Sequence, residues 1–191
     1  MLILASQSPR RRELIKQITS DFVVIPSNAD ESSLHVPASD MALELSKLKA
    51  YDVAMKHPND DVLACDTVVI YNNLVLGKPK NEEDAYNMLK MLSGHKHVVI
   101  SGYTFISKNK EVSRSVRTYV YFNELSDELI KEYIKSGSPM DKAGAYGIQD
   151  KQFDLVKSIE GSYYNVVGFP LEDIKKHVFN IKWLFIKYSF R

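Results

Sequence analysis

Residues 2–15 read Leu-Ile-Leu-Ala-Ser-Gln-Ser-Pro-Arg-Arg-Arg-Glu-Leu-Ile. The apolar run Leu2–Ala5 predicts a buried strand, the polar residues 6–9 predict a turn, and Glu13 begins a helical pattern. A strand that delivers hydroxyls, free N–H groups and arginines to the start of a helix creates a place for an anion, because that helix end is electropositive. The alternative is a capped helix with a solvated basic first turn, since arginine there opposes the helix dipole.

Composition and charge restrict the class of protein. The chain has 191 residues, enough for one large domain or two tightly joined lobes, and its 45% hydrophobic and 26% charged residues are an ordinary globular balance. The net charge of +1 argues against general nucleic-acid binding. Leu2–Ala5 is too short for a signal peptide, and no apolar run is long enough to cross a membrane. The single cysteine, Cys65, excludes an intramolecular disulfide, so we expect a soluble cytoplasmic protein.

Strand and helix patterns alternate along the chain, which predicts an α/β or mixed α+β fold. The predicted strands span residues 22–25, 62–70, 74–76, 98–106, 116–122 and 153–159. The predicted helices run from a cap at Asp40 to about His57, after Asn81, after Ser126, and from Pro170. Residues 161–170 are interpreted as turns or as a binding loop. His95 and His97 are assigned to a loop rather than to a zinc site, and the aromatic stretch 181–190 fits either a helix or a strand.

Asp66 is the most anomalous residue, because it interrupts the apolar run from Val62 to Ile70. A carboxylate at this position is costly unless it is paired, binds a metal or faces a cleft. It is therefore either a metal ligand or general base, or a strand-terminal residue that caps a local turn. Asp30 and Glu31, taken alone, are typical of a solvated surface. Together with Asp66 they become candidates for a magnesium site, because two carboxylates and substrate phosphates commonly hold magnesium.

Basic side chains suitable for a polyphosphate are distributed over several segments. The candidates are Arg10, Arg11, Lys49 and Lys78. Lys78 lies between Gly77 and Pro79, where the backbone is fixed and open to approach. The alternative for Lys49 is a structural one, in which its stem packs along the apolar stripe of its helix and its ammonium group stays in solvent. The chain contains neither a Walker-type glycine loop nor a Rossmann fingerprint.

The segment Asp141–Gln149 combines small residues with polar side chains. Tyr146 is suited to packing on a flat group. Gln149 is suited to reading a pyrimidine edge, because an amide donates and accepts hydrogen bonds together. Structural turn chemistry is the alternative for this segment.

Together these motifs resemble the Maf family of nucleoside triphosphate pyrophosphatases, in order from residue 2 to about residue 175. The matching segments are Ser6–Arg11, Asp30-Glu31, Lys49-Ala50, Ala64–Thr67, Gly77–Pro79, Leu92–Gly94, Asp141–Gln149 and Gly161–Pro170. Each motif alone is weak, whereas their shared order is specific. The segment Asp141–Gln149 resembles the branch of the family that acts on dTTP and UTP rather than the branch that acts on 7-methyl-GTP.

The resemblance implies a single domain over residues 1–191 with a mixed α/β fold similar to inosine triphosphate pyrophosphatases. This fold is an elongated mixed sheet with flanking helices, in two lobes around a deep cleft. The implied reaction is hydrolysis of dTTP or UTP to the nucleoside monophosphate and diphosphate, by metal-assisted attack of water at the α-phosphorus. By the family pattern, Asp66 is the proton acceptor, and Glu31, Asp66 or both are ligands for Mg²⁺ or Mn²⁺. The residues expected to bind or select the substrate are Ser8, Pro9, Arg10, Arg11, Lys49, Thr67, Lys78 and Gln149.

The resemblance leaves alternatives open. The family's septum-formation name is compatible with a nucleotide-binding regulator of cell division whose catalysis is secondary. A homodimer is expected from the family and from the aromatic C-terminus, whereas nucleic-acid binding by the basic start is disfavoured. The chain also departs from the family pattern at Cys65, at Asp150 and Gln152, which replace glycines, and at Phe169. The two replaced glycines predict a stiffer loop after Gln149.

Overall fold

The computed structural model describes residues 1–181, which form seven strands and six α-helices around one mixed sheet. The strands are β1 (Leu2–Leu4), β2 (Val23–Val24), β3 (Asp61–Tyr71), β4 (Leu74–Leu76), β5 (Lys96–Ser107), β6 (Lys110–Phe122) and β7 (Val156–Glu160). The α-helices are α1 (Pro9–Ile15), α2 (Ala38–Lys56), α3 (Glu82–Leu92), α4 (Asp127–Lys135), α5 (Tyr163–Val167) and α6 (Leu171–His177). Short 3₁₀ turns lie at Glu31–Ser33, Ser138–Asp141, Ala143–Ala145 and Lys151–Phe153. The predicted mixed α/β class is confirmed.

The sheet has an opening in the middle of β3. Its strand order is β2-β1-β3-β5-β6-β7, with β4 also paired to β3. β1 and β4 share one edge of β3, but parallel β1 pairs with residues 61–63 and antiparallel β4 pairs with residues 69–71. Among the described strands, none covers this edge at residues 64–68. The anomalous Asp66 and its neighbour Thr67 therefore lie where two partners of one strand diverge, which is a common position for ligand sites in sheets of this kind.

Gly102 brings α2 close to this opening. Asp66 pairs with Gly102 across β3 and β5, and directly opposed residues present their side chains to the same face of a sheet. A Cβ at Gly102 would stand 2.4 Å from backbone atoms of Ala42 and Leu43 in α2. Only glycine therefore lets α2 pack this closely over the central strands, and α2 in turn carries Lys49 to Asp66.

The apolar core is divided into separate clusters. One cluster packs α3 and α4 against β6 and includes Leu89 and Ile130. Another packs α1 and α6 against β1 and β5 and includes Ile15, Ile174 and Tyr103. Separate core clusters are what a single domain with two lobes requires. The two-lobed organisation itself stays a prediction. No helix within residues 1–181 is both long and apolar enough to span a membrane.

Two predicted helix starts are wrong for local reasons. α1 begins at Pro9 rather than at Glu13, because the Ser8 hydroxyl accepts a hydrogen bond from a backbone N–H of the first turn and proline suits the first helical position. α2 begins at Ala38, so Asp40 lies inside its first turn instead of capping it. An aspartate is favourable both as an N-cap and within the first turn of a helix, so the sequence pattern does not distinguish these two positions for Asp40.

Other corrections concern the irregular segments. β7 begins at Val156 rather than at residue 153, because a 3₁₀ turn precedes it and Asp154 has a left-handed φ of 47°. His97 is not in a loop but is buried within β5. The single-turn helix α5 occupies part of the segment 161–170, for which turns or a binding loop were predicted. Residues 182–190 of the aromatic C-terminal stretch lie outside the described residues.

Candidate active site

A cavity of about 850 Å³ lies at the opening in the sheet. The N-terminus of α1, the helix α2, the middle of β3 and residues 141–149 form its walls. Its volume is typical of small-molecule sites. Every site residue that the family resemblance implies lines it: Ser8, Pro9, Arg10, Arg11, Glu31, Lys49, Asp66, Thr67, Lys78 and Gln149. Asp30, the neighbour of Glu31, does not line it. Arg12 is exposed and is not part of the lining.

A lysine between two carboxylates occupies one wall of the cavity. Lys49 forms an ion pair with Asp66 and a second one with Glu31, at 3.0 Å between Nζ and Oε1. The side chains of Lys49 and Asp66 are only 18% and 14% exposed, whereas Glu31 is 49% exposed. The carboxylate that interrupts the apolar strand is thus paired, as its burial requires.

Lys49 remains a cation in this environment. Burial lowers the pKa of Lys49, but the charges of Asp66 and Glu31 and the hydrogen bonds to them outweigh burial, so the pKa lies above its usual value. The second oxygen of Asp66, Oδ1, accepts a hydrogen bond of 2.7 Å from the backbone N–H of Thr67. Each carboxylate oxygen has more than one acceptor direction, so Asp66 keeps the capacity to accept a further proton donor.

Arg11 is held by three partners, two of which come from distant parts of the chain. Its Nε donates to the carbonyl of Gly168 at 2.9 Å, and its two terminal nitrogens donate to Ser6 Oγ and Thr67 Oγ1, each at 3.2 Å. Thr67 Oγ1 also contacts Ser101 Oγ at 2.8 Å and Gly168 O at 3.3 Å. A guanidinium has five N–H donors, so within residues 1–181 the fixed Arg11 leaves two without a protein partner, and these can bind an anion in the cavity.

Arg10 is positioned by the opposite wall. It donates through Nη1 to Asp141 Oδ2 at 2.7 Å and through Nη2 to the backbone carbonyl of Asp141 at 3.2 Å. Lys142 Nζ donates to the other carboxylate oxygen of Asp141 at 2.8 Å. Burial alone would raise the pKa of Asp141, but the hydrogen bonds from Lys142 and Arg10 hold it below its usual range. The loop after α4 is thereby tied to the start of α1.

Gln149 and Lys78 complete the lining without strong protein contacts. Gln149 Oε1 is buried and has no hydrogen-bond partner within residues 1–181. A buried acceptor without a partner is rare in a folded protein, and a ligand donor is a usual explanation. Lys78 forms no ion pair with another residue in the described part of the chain. Both side chains are available to a molecule in the cavity.

The donor set for a metal consists of two carboxylates. Glu31 and Asp66 meet at Lys49, and within residues 1–181 no group of three or more histidine, cysteine, aspartate or glutamate side chains is arranged to hold an ion. Two carboxylates fit a hard divalent cation that takes its remaining ligands from substrate phosphates and water. They do not fit a closed structural zinc site, which needs four protein ligands.

Three residues near the cavity are absent from the sequence-based site. Lys142 supports Asp141, and Asp150 receives hydrogen bonds from α4. His97 lies 2.8 Å from the hydroxyl of the lining residue Tyr146, through Nε2, and burial lowers the pKa of His97 to about 4. The sequence did indicate that His97 belongs to a strand, because the apolar residues that directly follow it continue the same strand pattern. Asp150 is held by Tyr133, 17 residues away in the chain, which spacing does not reveal, and Lys142 contacts its chain neighbour Asp141.

Similarity to known proteins shows the family of this chain. A family model described as Maf-like protein matches residues 1–180. The chain belongs to the Maf family. Among curated relatives of this Maf-like protein, one from Thermococcus gammatolerans is named dTTP/UTP pyrophosphatase and is 52% identical over 176 residues, covering 92% of this chain and 94% of the relative. A Thermococcus onnurineus protein of the same name is 53% identical over 177 residues, covering 92% and 95%.

A Geobacillus protein, also named dTTP/UTP pyrophosphatase, is 44% identical to this Maf-like protein over 183 residues and covers 95% of this chain and 98% of its own. Among solved structures, the Staphylococcus aureus Ham1 protein aligns with 66% of this chain and 72% of its own, at 17% identity and a TM-score of 0.45.

Proposed function

We propose that this protein hydrolyses dTTP and UTP to the nucleoside monophosphate and diphosphate. The observation that carries the proposal is the convergence, in one cavity, of five basic side chains, three carboxylates and an amide oxygen that has no hydrogen-bond partner within residues 1–181. The names of the relatives, which share about half of their residues with this chain, support the choice of these two substrates.

The basic residues would offset the charge of the triphosphate. Arg11 has two N–H donors without a partner in the described part of the chain. Arg10 and Lys78 line the same cavity, and Lys49 adds a cation between the carboxylates. Such preorganised positive groups stabilise the charge that spreads over phosphate oxygens during phosphoryl transfer. Because Arg10 and Arg11 are held by protein partners, they need little reorganisation when the substrate binds.

Asp66 would act as the proton acceptor. A water oxygen forms a bond to the α-phosphorus, and its proton passes to the Asp66 carboxylate. The bond from the α-phosphorus to the oxygen bridging to the β-phosphate then breaks, and pyrophosphate leaves with the bonding pair. The backbone N–H of Thr67 and the ammonium of Lys49 fix the carboxylate in place. The Thr67 hydroxyl is already engaged with Arg11, Ser101 and Gly168, which supports a positioning role rather than direct contact with the base.

The proposed cofactor is Mg²⁺, with Mn²⁺ as a substitute. Glu31, Asp66 or both would hold it together with the substrate phosphates, and Glu31 alone would do so where Asp66 serves as the free proton acceptor. When bound, such an ion supplies Lewis-acid stabilisation of phosphate oxygens. We expect Glu31→Gln to raise the Mg²⁺ concentration that half-maximal turnover requires, because one of two protein ligands loses its charge. An unchanged requirement would remove Glu31 from the metal site.

Pyrophosphate release from a panel of nucleotides tests the proposal directly. The purified protein is incubated with Mg²⁺ and dTTP, UTP, CTP or GTP, and we expect release from the first two. Asp66→Asn should lower turnover by about 100-fold or more if Asp66 is the proton acceptor. Asp21→Asn, at an exposed carboxylate outside the cavity, is the matched control. Near-normal turnover in Asp66→Asn would refute the role of Asp66, and no release from any nucleotide would favour a nucleotide-binding regulator.

The proposal extends to location and assembly. A reducing cytoplasm suits nucleotide hydrolysis and a single cysteine that is fully buried. We expect a homodimer and no nucleic-acid partner. Light scattering of the purified protein tests the first expectation, and filter binding with competing dTTP tests the second. A monomer at micromolar concentration, or nucleic-acid binding lost with salt but not with dTTP, would contradict them.

A further inference from the structure

The segment that precedes Glu31 is attached to α2 through one carboxylate. Oδ2 of Asp52 accepts one hydrogen bond from Ser27 Oγ and another from the backbone N–H of Asn28, each at 2.8 Å. Ser27 Oγ in turn accepts a hydrogen bond of 3.0 Å from the backbone N–H of Ala29. Residues 27–29 are therefore held, directly or through Ser27, by a single side chain of α2.

The Asp52 carboxylate is charged and fixed on its helix. Its other oxygen, Oδ1, accepts a hydrogen bond from Lys56, one turn further along α2. The hydrogen bonds from Lys56, Ser27 and Asn28 lower the pKa of Asp52 to about 2, so Asp52 is ionised at neutral pH. Hydrogen bonds to an ionised acceptor are roughly twice as strong as those between neutral groups. Asp52 is therefore well suited to hold an exposed loop in place.

The face of α2 that holds this loop also carries Lys49. Lys49 and Asp52 are three residues apart in the helix, so their side chains lie on the same face. Ser27 contacts this face at Asp52. Glu31 contacts it at Lys49, with 3.0 Å between Oε1 and Nζ. The loop is thus attached to α2 at two points, one before the proposed metal ligand and one at the ligand itself.

The two attachments differ in how a bound cation would affect them. The Glu31 carboxylate is 49% exposed and lines the cavity, so a cation there competes with Lys49 for its oxygens. Asp52 does not line the cavity, and its hydrogen bonds to Ser27 and Asn28 involve no proposed ligand of the cation. The attachment at Asp52 therefore persists when Glu31 binds a metal.

We propose that Asp52 is a positioning residue for Glu31, which it keeps beside Asp66 by fixing residues 27–29 to the helix that carries Lys49. The inference rests on the proposed function, in which Glu31 holds the cation, alone or with Asp66. Without Asp52, binding of the cation would have to order this segment, and the entropy cost of that ordering would weaken binding. Partners that orient a metal ligand typically contribute about 10- to 100-fold to metal affinity.

The test separates the contribution of the metal from the affinity for the nucleotide itself. Affinity for the α,β-imido analogue of UTP is measured by titration calorimetry with Mg²⁺ and again with EDTA, and the ratio of the two dissociation constants gives the metal contribution. Asp52→Ala removes the attachment, whereas Asp52→Asn keeps an oxygen for both donors. Lys56→Met is the matched control, because it removes the remaining bond to Asp52 and leaves the loop attached. Ser27→Ala detaches the loop from its own side and replaces Asp52→Ala if urea unfolding shows that this variant does not fold.

We expect Asp52→Ala to lose about tenfold of the Mg²⁺-dependent gain in affinity and to bind the analogue in EDTA like the wild type. Asp52→Asn and Lys56→Met should retain the gain. Glu31→Gln combined with Asp52→Ala should lose no more than Glu31→Gln alone, because both changes act at one ligand. Equal losses with Mg²⁺ and EDTA, an unchanged gain in Asp52→Ala, or additive losses in the double variant would show that Asp52 does not act through Glu31 and would overturn the proposal.

Binding distinguishes this result from the reaction. A wild-type protein whose Mg²⁺-dependent gain requires Asp52 but which releases no pyrophosphate from UTP or dTTP refutes hydrolysis alone. A protein that hydrolyses UTP while Asp52→Ala keeps the full gain refutes only the role of Asp52. If Mg²⁺ adds nothing to the affinity of the wild type, Glu31 holds no cation in the complex, and this inference fails whether or not UTP is hydrolysed.

Discussion

Replacing Gly102 by alanine tests whether the close packing of α2 builds the site. The new Cβ would stand 2.4 Å from Ala42 and Leu43 backbone atoms, whereas ordinary contact begins at 3.4 Å, so α2 must retreat by about 1 Å. Because helix backbone and not a flexible side chain must yield, we expect a loss of about 3 kcal/mol in the free energy of unfolding. For a chain of this length that corresponds to a melting temperature lower by about 6–12 °C.

The same displacement should impair catalysis. α2 carries Lys49, and a shift of about 1 Å in a catalytic group costs about 100-fold in rate. Urea unfolding followed by circular dichroism measures stability, and pyrophosphate release well below the melting temperature measures activity. Gly77→Ala is the matched control for stability, because a Cβ there meets no atom within 4 Å. If Gly102→Ala proves as stable as Gly77→Ala, the inference that glycine at this position sets the distance of α2 is wrong.

Three further changes probe individual groups. Lys49→Met should lower kcat/KM for dTTP by about 100-fold, because Asp66 loses its cation; pyrophosphate assays within a few-fold of wild type would contradict this role. Burial raises the pKa of Cys65 to about 11, so iodoacetamide should modify Cys65 only in denaturant, as intact mass will show; rapid labelling of the native protein would be inconsistent with that burial. Burial lowers the pKa of His97 from 6.5 to about 4, so the unfolded state binds the extra proton first, and about 3 kcal/mol of stability should be lost as pH falls from 6.5 towards 4. His97→Gln should flatten the plot of unfolding free energy against pH in this range. An unchanged plot would show that protonation of His97 is not the cause of the loss.

Local chemistry made much of the fold predictable. Asn81 and Ser126 cap α3 and α4 as predicted, because a side-chain oxygen before an apolar stripe serves the free N–H groups of a helix start. The hairpin of β3 and β4 was also predictable, since Asn72 and Asn73 tolerate the left-handed backbone of a tight turn. In contrast, α5 has a single turn and too few residues to establish a helical period.

The site was predictable in its composition but not in its contacts. Asp66 was identified by its cost within an apolar strand, the basic groups were identified by residue type, and the family resemblance assigned them to one site. The spacing of residues gave no sign that Lys49 bridges two carboxylates, or that the carbonyl of Gly168 holds Arg11. Such pairs depend on how α2 and the segment after α5 pack on the sheet, which is decided by shape rather than by sequence pattern.

The bond between Arg11 Nε and the carbonyl of Gly168 joins groups that are 157 residues apart in the chain. Closing a loop of that length is slow in comparison with forming the hairpin of β5 and β6, whose strands are adjacent in sequence. A refolding chain therefore collapses and pairs its central strands before Arg11 acquires its anchor. Recovery of nucleotide binding after denaturation should follow the slowest folding phase, so the ligand reports that the whole molecule has closed rather than that its core has formed.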